Sequence, residues 1–446
     1  MDKLFGTDGI RAVAGEYPLD YSSVYTLGKT LISLLQENEQ EPKVIIGKDT
    51  RESGDWLEGA LFQGIKNNQG VAVSAGIIPT SAISFLTKKH SFSAGIVISA
   101  SHNPFYDNGI KIFSSQGIKF SEEMEGKLEK AIVTAQKAQK EEKAKISPNP
   151  SLRQEYIDFL KDQFSQVHLQ KKIKISLDCS NGASFSIAPQ VFSDLGFEVI
   201  SLNNSPDGKN INENCGSLYP QNLARKVVET KADIGIAYDG DADRSIWVDE
   251  KGNILNGDHT LFILSRFMKE NGWLKSNAIV ATTMSNMGLE KALQKLGLKL
   301  VRTQVGDKYV LERMIEIKAN FGGEQSGHTI FLDHCPTGDG ILTSLKMLEV
   351  MTEYNLPLSK MVEDYEEFPQ ILKNVWVRKK VDFNHFPEII KTRKHIEDQL
   401  ENSGRIEVRY SGTEPLARIM IEGQDSGQIE GYAQKMAETI SKHLGK

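Results

Sequence analysis

Two patterns alternate along the chain. Short β-branched runs end in polar or glycine-rich loops, and amphipathic stretches with helical spacing follow. Val44-Ile45-Ile46 precedes Gly47-Lys48-Asp49-Thr50-Arg51, and residues 96–98 precede Ser99-Ala100-Ser101-His102-Asn103-Pro104. The pattern returns at residues 173–177 before Asp178-Cys179-Ser180-Asn181-Gly182, and at Ile234-Gly235-Ile236 before residues 238–244. A third pair is Ile279-Val280-Ala281 before residues 282–286, and Asn320-Phe321 before residues 322–328. Strands alternating with helices predict βαβ units and largely parallel sheets. All six loops then fall at the carboxyl ends of strands, where such sheets bind ligands. Plain crossover connections would give the same pattern, so the chemistry of the loops has to decide.

Two borders are visible. Residues 137–150 are rich in Lys, Glu and Ala and close in Ser147-Pro148-Asn149-Pro150, a helix running out into a proline-broken link. Helical spacing resumes at Tyr156, Phe159, Leu160 and Phe164. The acidic residues 363–370 form the other border. Strands are expected beyond it at Val375-Trp376-Val377 and residues 405–410, then a terminal helix near residues 432–444. At about 100–200 residues per domain, 446 residues are too many for one core. The fold class is therefore α/β: three repeated α/β domains with mainly parallel mixed sheets, plus a smaller C-terminal α+β domain. The expected ranges are 1–150 with the serine loop, 151–253 with an acidic loop, 254–368 with the loop at 322–328, and 369–446.

Composition narrows the function. The chain is 39% hydrophobic and 25% charged, which fits folded globules. The net charge is −6 and no long uninterrupted basic tract exists, so nucleic acid is not an expected partner. Three widely separated cysteines, Cys179, Cys215 and Cys335, lack zinc-ligand spacing and fit a reducing cytoplasm. The start, MDKLFGTDGIR, has no apolar core of a signal peptide. No stretch approaches the ~18 apolar residues of a membrane span, so no membrane is expected.

The acidic loop carries the clearest chemistry. Asp239, Asp241 and Asp243 alternate, so a curved loop can turn three carboxylates to one side. At about 5 Å separation and an effective dielectric of about 20, each pair repels by roughly 3 kcal/mol. A hard divalent cation, Mg²⁺ or Ca²⁺, removes that cost. The spacing to Glu250 imitates an EF-hand, but Arg244 stands where its turn needs glycine, and the flanks read as strands. Arg244 beside a metal suits a phosphate-bearing partner.

The other loops are less specific. Ser101 precedes a His-Asn-Pro turn and fits a cap or turn residue as well as a phosphoryl acceptor. A second turn is expected at Asp107-Asn108-Gly109, leading to Lys111. Glu324, Ser326 and His328 suit sugar hydroxyls, although a glycine-rich loop with a solvated Glu324 reads equally well. Arg409-Tyr410-Ser411-Gly412-Thr413, with Arg418 behind, offers backbone N–H groups, hydroxyls and guanidiniums for a phosphate. Arg11, Lys48 and Arg51 add positive charge, but each alone reads as a surface residue.

Together these motifs resemble the α-D-phosphohexomutase superfamily. The match covers FGTDGIR at residues 5–11, SASHNPFYDNGIK at 99–111, DGDADR at 239–244, GGEQSGH at 322–328 and SGTEP at 411–415, in the family's order. GEQSGH and FGTDGIR look more like its glucosamine branch than its mannose or glucose branches. Two positions depart from the family: Tyr410 stands where Pro is common, and Ala242 where Gly is usual.

The resemblance implies four domains around a central cleft, each giving one loop. It implies an isomerase that interconverts glucosamine 6-phosphate and glucosamine 1-phosphate, in amino-sugar nucleotide (UDP-N-acetylglucosamine) and cell-wall precursor synthesis. Mannose or glucose phosphates are the alternative substrates. Ser101 would be a phosphoserine, holding one Mg²⁺ per chain together with Asp239, Asp241 and Asp243. Arg11, His102 and Lys111 would serve proton transfer and transition-state charge. Glu324, Ser326 and His328 would contact the sugar. Arg244 would serve the substrate, and Arg409, Ser411, Gly412, Thr413 and Arg418 would hold its phosphate. Glucosamine 1,6-bisphosphate is the implied intermediate and activator, and a homodimer the implied assembly. An idle sugar-phosphate-binding protein on the same scaffold is the reading from another class, against which stands the full set of charged groups.

Overall fold

The computed structural model describes residues 3–37, 39–134, 146–401, 403–411 and 414–446. Among the described residues four sheets follow one another along the chain. In the first, the strand order is Phe5–Gly6, Gly9–Val13, Asp107–Ser114, Ala94–Ile98, Lys43–Lys48, Val71–Ile77. Lys43–Lys48 pairs in parallel with both Ala94–Ile98 and Val71–Ile77, while Asp107–Ser114 and Gly9–Val13 run antiparallel. In the second, Lys174–Asp178 pairs in parallel with Glu198–Leu202 and Ile234–Tyr238. Ser245–Val248 and Ile254–Leu255 complete it in antiparallel. This sheet therefore runs two residues past the border expected at 253/254, because Val248 and Trp247 pair with Ile254 and Leu255. The third sheet has the order Lys299–Thr303, Ala278–Thr282, Phe321–Gly323, Thr329–Phe331.

The α/β class holds, but the loops divide into two kinds. After Lys43–Lys48, Lys174–Asp178 and Ala278–Thr282 a helix follows, at Gly54–Asn67, Ile187–Asp194 and Met287–Lys295. After Ala94–Ile98, Ile234–Tyr238 and Phe321–Gly323 the next element is an antiparallel strand, not the expected helix. The serine loop, the acidic loop and the loop at 322–328 are thus hairpin loops. Asp107-Asn108-Gly109, expected as a turn, opens the strand Asp107–Ser114. Asn108 is buried and donates to Ser53 Oγ at 2.8 Å. A Cβ at Gly109 would lie 2.4 Å from the Ser99 carbonyl oxygen, so this glycine serves close strand approach rather than a turn.

The chain divides into two compact units: Met1–Thr282 with Val301–Glu363, and Thr283–Leu300 with Asp364–Lys446. In the first, the helix Tyr21–Leu35 buries Val24, Leu27, Leu31 and Ile32 in one cluster with Leu57, Leu61 and Ile65 of the helix Gly54–Asn67, and with Val44, Ile46, Ile96 and Ile98 of the sheet. The helix Pro150–Asp162 starts on the proline of the expected link: Asn149 caps it and Pro150 takes the first turn, where no N–H is needed.

In the second unit an antiparallel sheet, ordered Gln370–Trp376, Leu416–Gly423, Gly404–Tyr410, packs on the helices Pro387–Leu400 and Ser426–Leu444. The last helix begins six residues before the expected 432, because the Asp425 side chain caps Gln428 N at 3.0 Å. Among the described residues no helix is long and apolar enough to cross a membrane.

Candidate active site

The buried strand Ala94–Ile98 ends at the serine loop. Ser101 is fully buried with φ 52, a left-handed conformation that costs an L-residue about 1–2 kcal/mol. Such strain persists only where the surroundings over-determine it. Here Ser101 N donates to Ser99 Oγ at 2.9 Å, and its carbonyl accepts from Arg51 Nη2 at 3.0 Å and Asn212 Nδ2 at 2.9 Å. Arg51 also grips the carbonyls of Asn103 at 2.8 Å, Asp107 at 3.1 Å, and Pro104. Its Nε donates to Asp49 Oδ2 at 2.9 Å, which also accepts from Ser99 Oγ at 2.5 Å. Arg51 is therefore a buried clamp on this loop and not the surface charge expected. Lys48 pairs with Asp55 at 2.8 Å and with the buried Glu58.

The acidic loop joins Ile234–Tyr238 to Ser245–Val248 within the same unit. Ser101 Oγ donates to Asp239 Oδ2 at 2.5 Å. A Cβ at Gly240 would stand 2.5 Å from the Ser101 carbonyl oxygen, so the glycine lets the two loops meet. Lys111 is buried and reaches Asp241 Oδ2 at 2.8 Å, Asp8 Oδ2 at 3.0 Å and Asp243 Oδ2 at 3.2 Å. Burial opposes its charge, yet Asp241, Asp8 and Asp243 hold the ammonium well above its usual range. Burial likewise pushes Asp8 up, and Lys111, Lys119 and Arg11 outweigh it. Arg11 pairs with Asp8 and reaches Asn103 Oδ1 at 3.4 Å. His102 Nδ1 lies 3.3 Å from Ser101 Oγ, and burial, then Arg244 and Arg11, push its ring down to about 3.

Asp239, Asp241 and Asp243 each bring a carboxylate oxygen within 4.8 Å of the others. Burial, then Asp243 and Asp241, push the Asp239 carboxyl well above its usual range. Asp241 Oδ1 and Asp243 Oδ1 are buried without a hydrogen-bond partner. Three hard oxygen donors, two of them otherwise unsatisfied, fit a divalent cation of the Mg²⁺ type.

The loop at 322–328 lies beside the acidic loop. Ser245 N donates to Gly327 O at 3.2 Å, and Arg244 and His328 form a backbone bridge. Glu324 is buried, accepts from Gly306 N at 3.2 Å, and has its carboxyl pushed up by burial. His328 Nε2 accepts from Gly338 N at 3.1 Å. Ser326 is exposed. Lys119 bridges Asp8 at 2.5 Å to Asp307 at 2.6 Å, and Asp307 lies 3.6 Å from His328 Nε2. Ser101, His102, Lys111, Arg11, the three aspartates, Arg244, Glu324 and His328 thus all sit in one unit. Sequence reasoning gave no role to Asp8, Lys119, Asp307, Asn212 or Thr80; Asp8 alone had a signal, inside FGTDGIR.

In the other unit, Arg409 and Arg418 face one another across neighbouring strands. Burial, then the Arg418 charge, lower the proton affinity of Arg409. Ser411 is buried, and its N–H already donates to Leu416 O at 2.8 Å. Gly412 and Thr413 lie outside the described residues. Tyr410 stacks on Phe383 at 4.3 Å and donates to Val381 O at 2.6 Å, which ties the strand to its neighbouring segment.

A phosphohexomutase architecture is what four successive domain matches define. They are "Phosphoglucomutase/phosphomannomutase, alpha/beta/alpha domain I" over residues 2–139, domain II over 154–252, domain III over 256–368, and the C-terminal domain over 366–439. The chain belongs to this phosphoglucomutase/phosphomannomutase family, within the α-D-phosphohexomutase superfamily, and is an isomerase. Proteins named phosphoglucosamine mutase match end to end. That of Koribacter versatilis is 45% identical, with 100% of this chain and 99% of that protein covered. That of Caldicellulosiruptor saccharolyticus is 46% identical, with both chains covered completely. A family protein from Burkholderia thailandensis has the same fold at TM-score 0.81 and 21% identity, covering both chains completely. An Aspergillus fumigatus N-acetylphosphoglucosamine mutase, solved with GlcNAc-6P and magnesium, follows at TM-score 0.70 and 18% identity, covering 99% and 96%. The family generally uses Mg²⁺ and a phosphoserine.

Proposed function

We propose that this chain is a phosphoglucosamine mutase, interconverting glucosamine 6-phosphate and glucosamine 1-phosphate through a phosphoserine at Ser101. The observation that carries the reading is the Ser101 hydroxyl, strained and buried, bonded to Asp239 within the carboxylate trio. End-to-end relatives of that name support the choice of substrate.

Ser101 carries the phosphoryl group. Its Oγ–P bond breaks as a sugar oxygen forms the new O–P bond; the sugar hydroxyl gives up its proton, and the leaving Ser101 oxygen takes one up to become a hydroxyl again. The product of this first transfer is glucosamine 1,6-bisphosphate. After the bisphosphate reorients, its other phosphoryl group returns to Ser101. Asp239, Asp241 and Asp243 would hold Mg²⁺ with the phosphoserine, and the ion would supply charge neutralisation for the phosphoryl group there. Lys111 and Arg11, fixed by Asp8, supply positive charge beside Ser101. The His102 ring lies within reach of the serine oxygen and of a proton moving there. Glu324, Ser326 and His328 orient the sugar, and Arg244 lies between them and the metal loop. Arg409, Ser411 and Arg418 hold the phosphate that is not being transferred, with Gly412 and Thr413. Buried free Cys179, Cys215 and Cys335 suit work in a reducing cytoplasm.

Intact mass with and without phosphatase, followed by a coupled assay, tests this. The wild type should carry one removable phosphate and turn over glucosamine 6-phosphate faster than glucose or mannose phosphates. Ser101→Ala should lose the phosphate and turnover by roughly 10⁴-fold or more. Markedly better turnover of a neutral hexose phosphate would return the chain to the phosphomannomutase/phosphoglucomutase alternative; wild-type rates in Ser101→Ala would remove the phosphoserine.

A further inference from the structure

The three aspartates do not hold their own orientation. Asp241 Oδ2 is already occupied: it accepts from Lys111 Nζ at 2.8 Å and from Thr80 Oγ1 at 2.5 Å. Its other oxygen, Oδ1, is the buried atom left without a partner. Thr80 also donates its backbone N–H to the Asp241 carbonyl at 3.0 Å. That N–H belongs to the first turn of the helix Thr80–Lys89, where donors have no partner within the helix. One residue therefore fixes both the backbone and the carboxylate of Asp241, from a different sheet-and-helix layer.

Thr80 is itself held rigidly. The next residue, Ser81, shares a 2.9 Å bond between its Oγ and Tyr156 Oη. Tyr156 Oη donates to Asp339 Oδ2 at 2.9 Å. The adjoining Gly340 N donates to the carbonyl of Ala242 at 2.9 Å. The acidic loop is thus gripped at the successive carbonyls of Asp241 and Ala242, by two helix starts joined through one tyrosine. Thr80, Ser81, Tyr156 and Asp339 are all buried, so these bonds have no competing solvent.

We propose that Thr80 is a positioning residue of the metal site: its hydroxyl pins Asp241 Oδ2 so that Oδ1 is presented to the divalent cation. Groups one bond behind a metal ligand typically govern affinity by 10–100-fold. The inference rests on the metal reading above and goes beyond it by assigning a residue that carries no charge and cannot itself ligate from its observed contacts.

The test is Mn²⁺ binding to the full chain, followed by calorimetry, with substitutions that separate the hydroxyl from the shape. Thr80→Val keeps the volume and loses the donor; Thr80→Ser keeps the donor. Thr80→Val should weaken Mn²⁺ binding about 10-fold, with Thr80→Ser within about twofold of wild type. Melting in the absence of metal is recorded for both; if Thr80→Val does not fold, Thr80→Ala takes its place in the same comparison. Equal Mn²⁺ affinity in folded Thr80→Val and wild type overturns the role of Thr80 while leaving the metal site intact. Equal weakening in Val and Ser overturns it too, since the hydroxyl would not be the cause. Asp239→Asn serves as the control for the underlying reading: if it binds Mn²⁺ as the wild type does, the carboxylate trio is not the site at all.

Discussion

At the serine centre four carboxylates, Asp8, Asp239, Asp241 and Asp243, lie among Lys111, Arg11 and Arg244 in a network of ion pairs that leaves Asp241 Oδ1 and Asp243 Oδ1 without a hydrogen bond. At the turn of the second unit, Arg409 and Arg418 face one another, and the ion pair there is Arg418 with Glu414 at 3.4 Å, both partly exposed. The two regions treat like charge in opposite ways. The first neutralises it internally, which fixes geometry before any ligand arrives. The second leaves two cations side by side, which costs stability and favours an anion. Changes at the first should therefore strike stability and turnover, and changes at the second should strike binding.

The largest effect is expected at Lys111. Lys111→Met fills a similar volume but leaves Asp8, Asp241 and Asp243 without their shared cation. Breaking a buried ion pair this way costs about 3–5 kcal/mol. Urea unfolding should show the loss, and turnover should fall with it. A stability change below about 1 kcal/mol would mean that the carboxylates are neutralised by something other than Lys111.

Arg409→Ala is expected to behave differently. A charge-assisted hydrogen bond to phosphate is worth about 1.5–3 kcal/mol, so KM should rise by roughly 10–100-fold. Stability should hold or rise slightly, because one of two repelling guanidiniums is gone. Equal losses of stability at Arg409 and Lys111 would erase the contrast between the regions.

How far the sequence could be read follows from the same difference. Asp239, Asp241 and Asp243 alternate within five residues, so local spacing alone brought them together, and Ser101 was found by its loop. Arg51, Asn212, Thr80, Lys119 and Asp307 come singly from separate loops and helix starts, and only the tertiary fold joins them. Arg51 reads as surface charge because arginine is rarely buried without a partner; its partner Asp49 stands two residues away and was not weighed with it. The hairpin nature of three loops was hidden for another reason. Asp107–Ser114 is buried on both faces through its middle, so it shows no period-two alternation, and Asp-Asn-Gly gave a turn signal that packing overrides. Likewise Tyr410 is held by Phe383 and Val381, neither of which is near it in sequence.

The smallest effect is expected at Ala242, inside the acidic loop. Ala242 has φ 57 and is fully buried. Glycine there would remove a left-handed penalty of about 1–2 kcal/mol. It would also free the unfolded chain, at about 0.4–1 kcal/mol, and give up one buried methyl, at about 0.8 kcal/mol. These terms nearly cancel, so Ala242→Gly should change stability by less than about 1 kcal/mol and leave Mn²⁺ affinity unaltered. Two residues earlier the opposite holds. A methyl at Gly240 would meet the Ser101 carbonyl at 2.5 Å, and Asn212 Nδ2 and Ile211 Cδ1 at 2.9 Å. Gly240→Ala must therefore push the serine loop from the acidic loop, lengthen the Ser101–Asp239 bond and depress turnover far more than Ala242→Gly. Denaturation curves and turnover of the two variants side by side check this. If the pair behaved alike, close contact between the two loops would not be what holds Ser101 in its strained conformation.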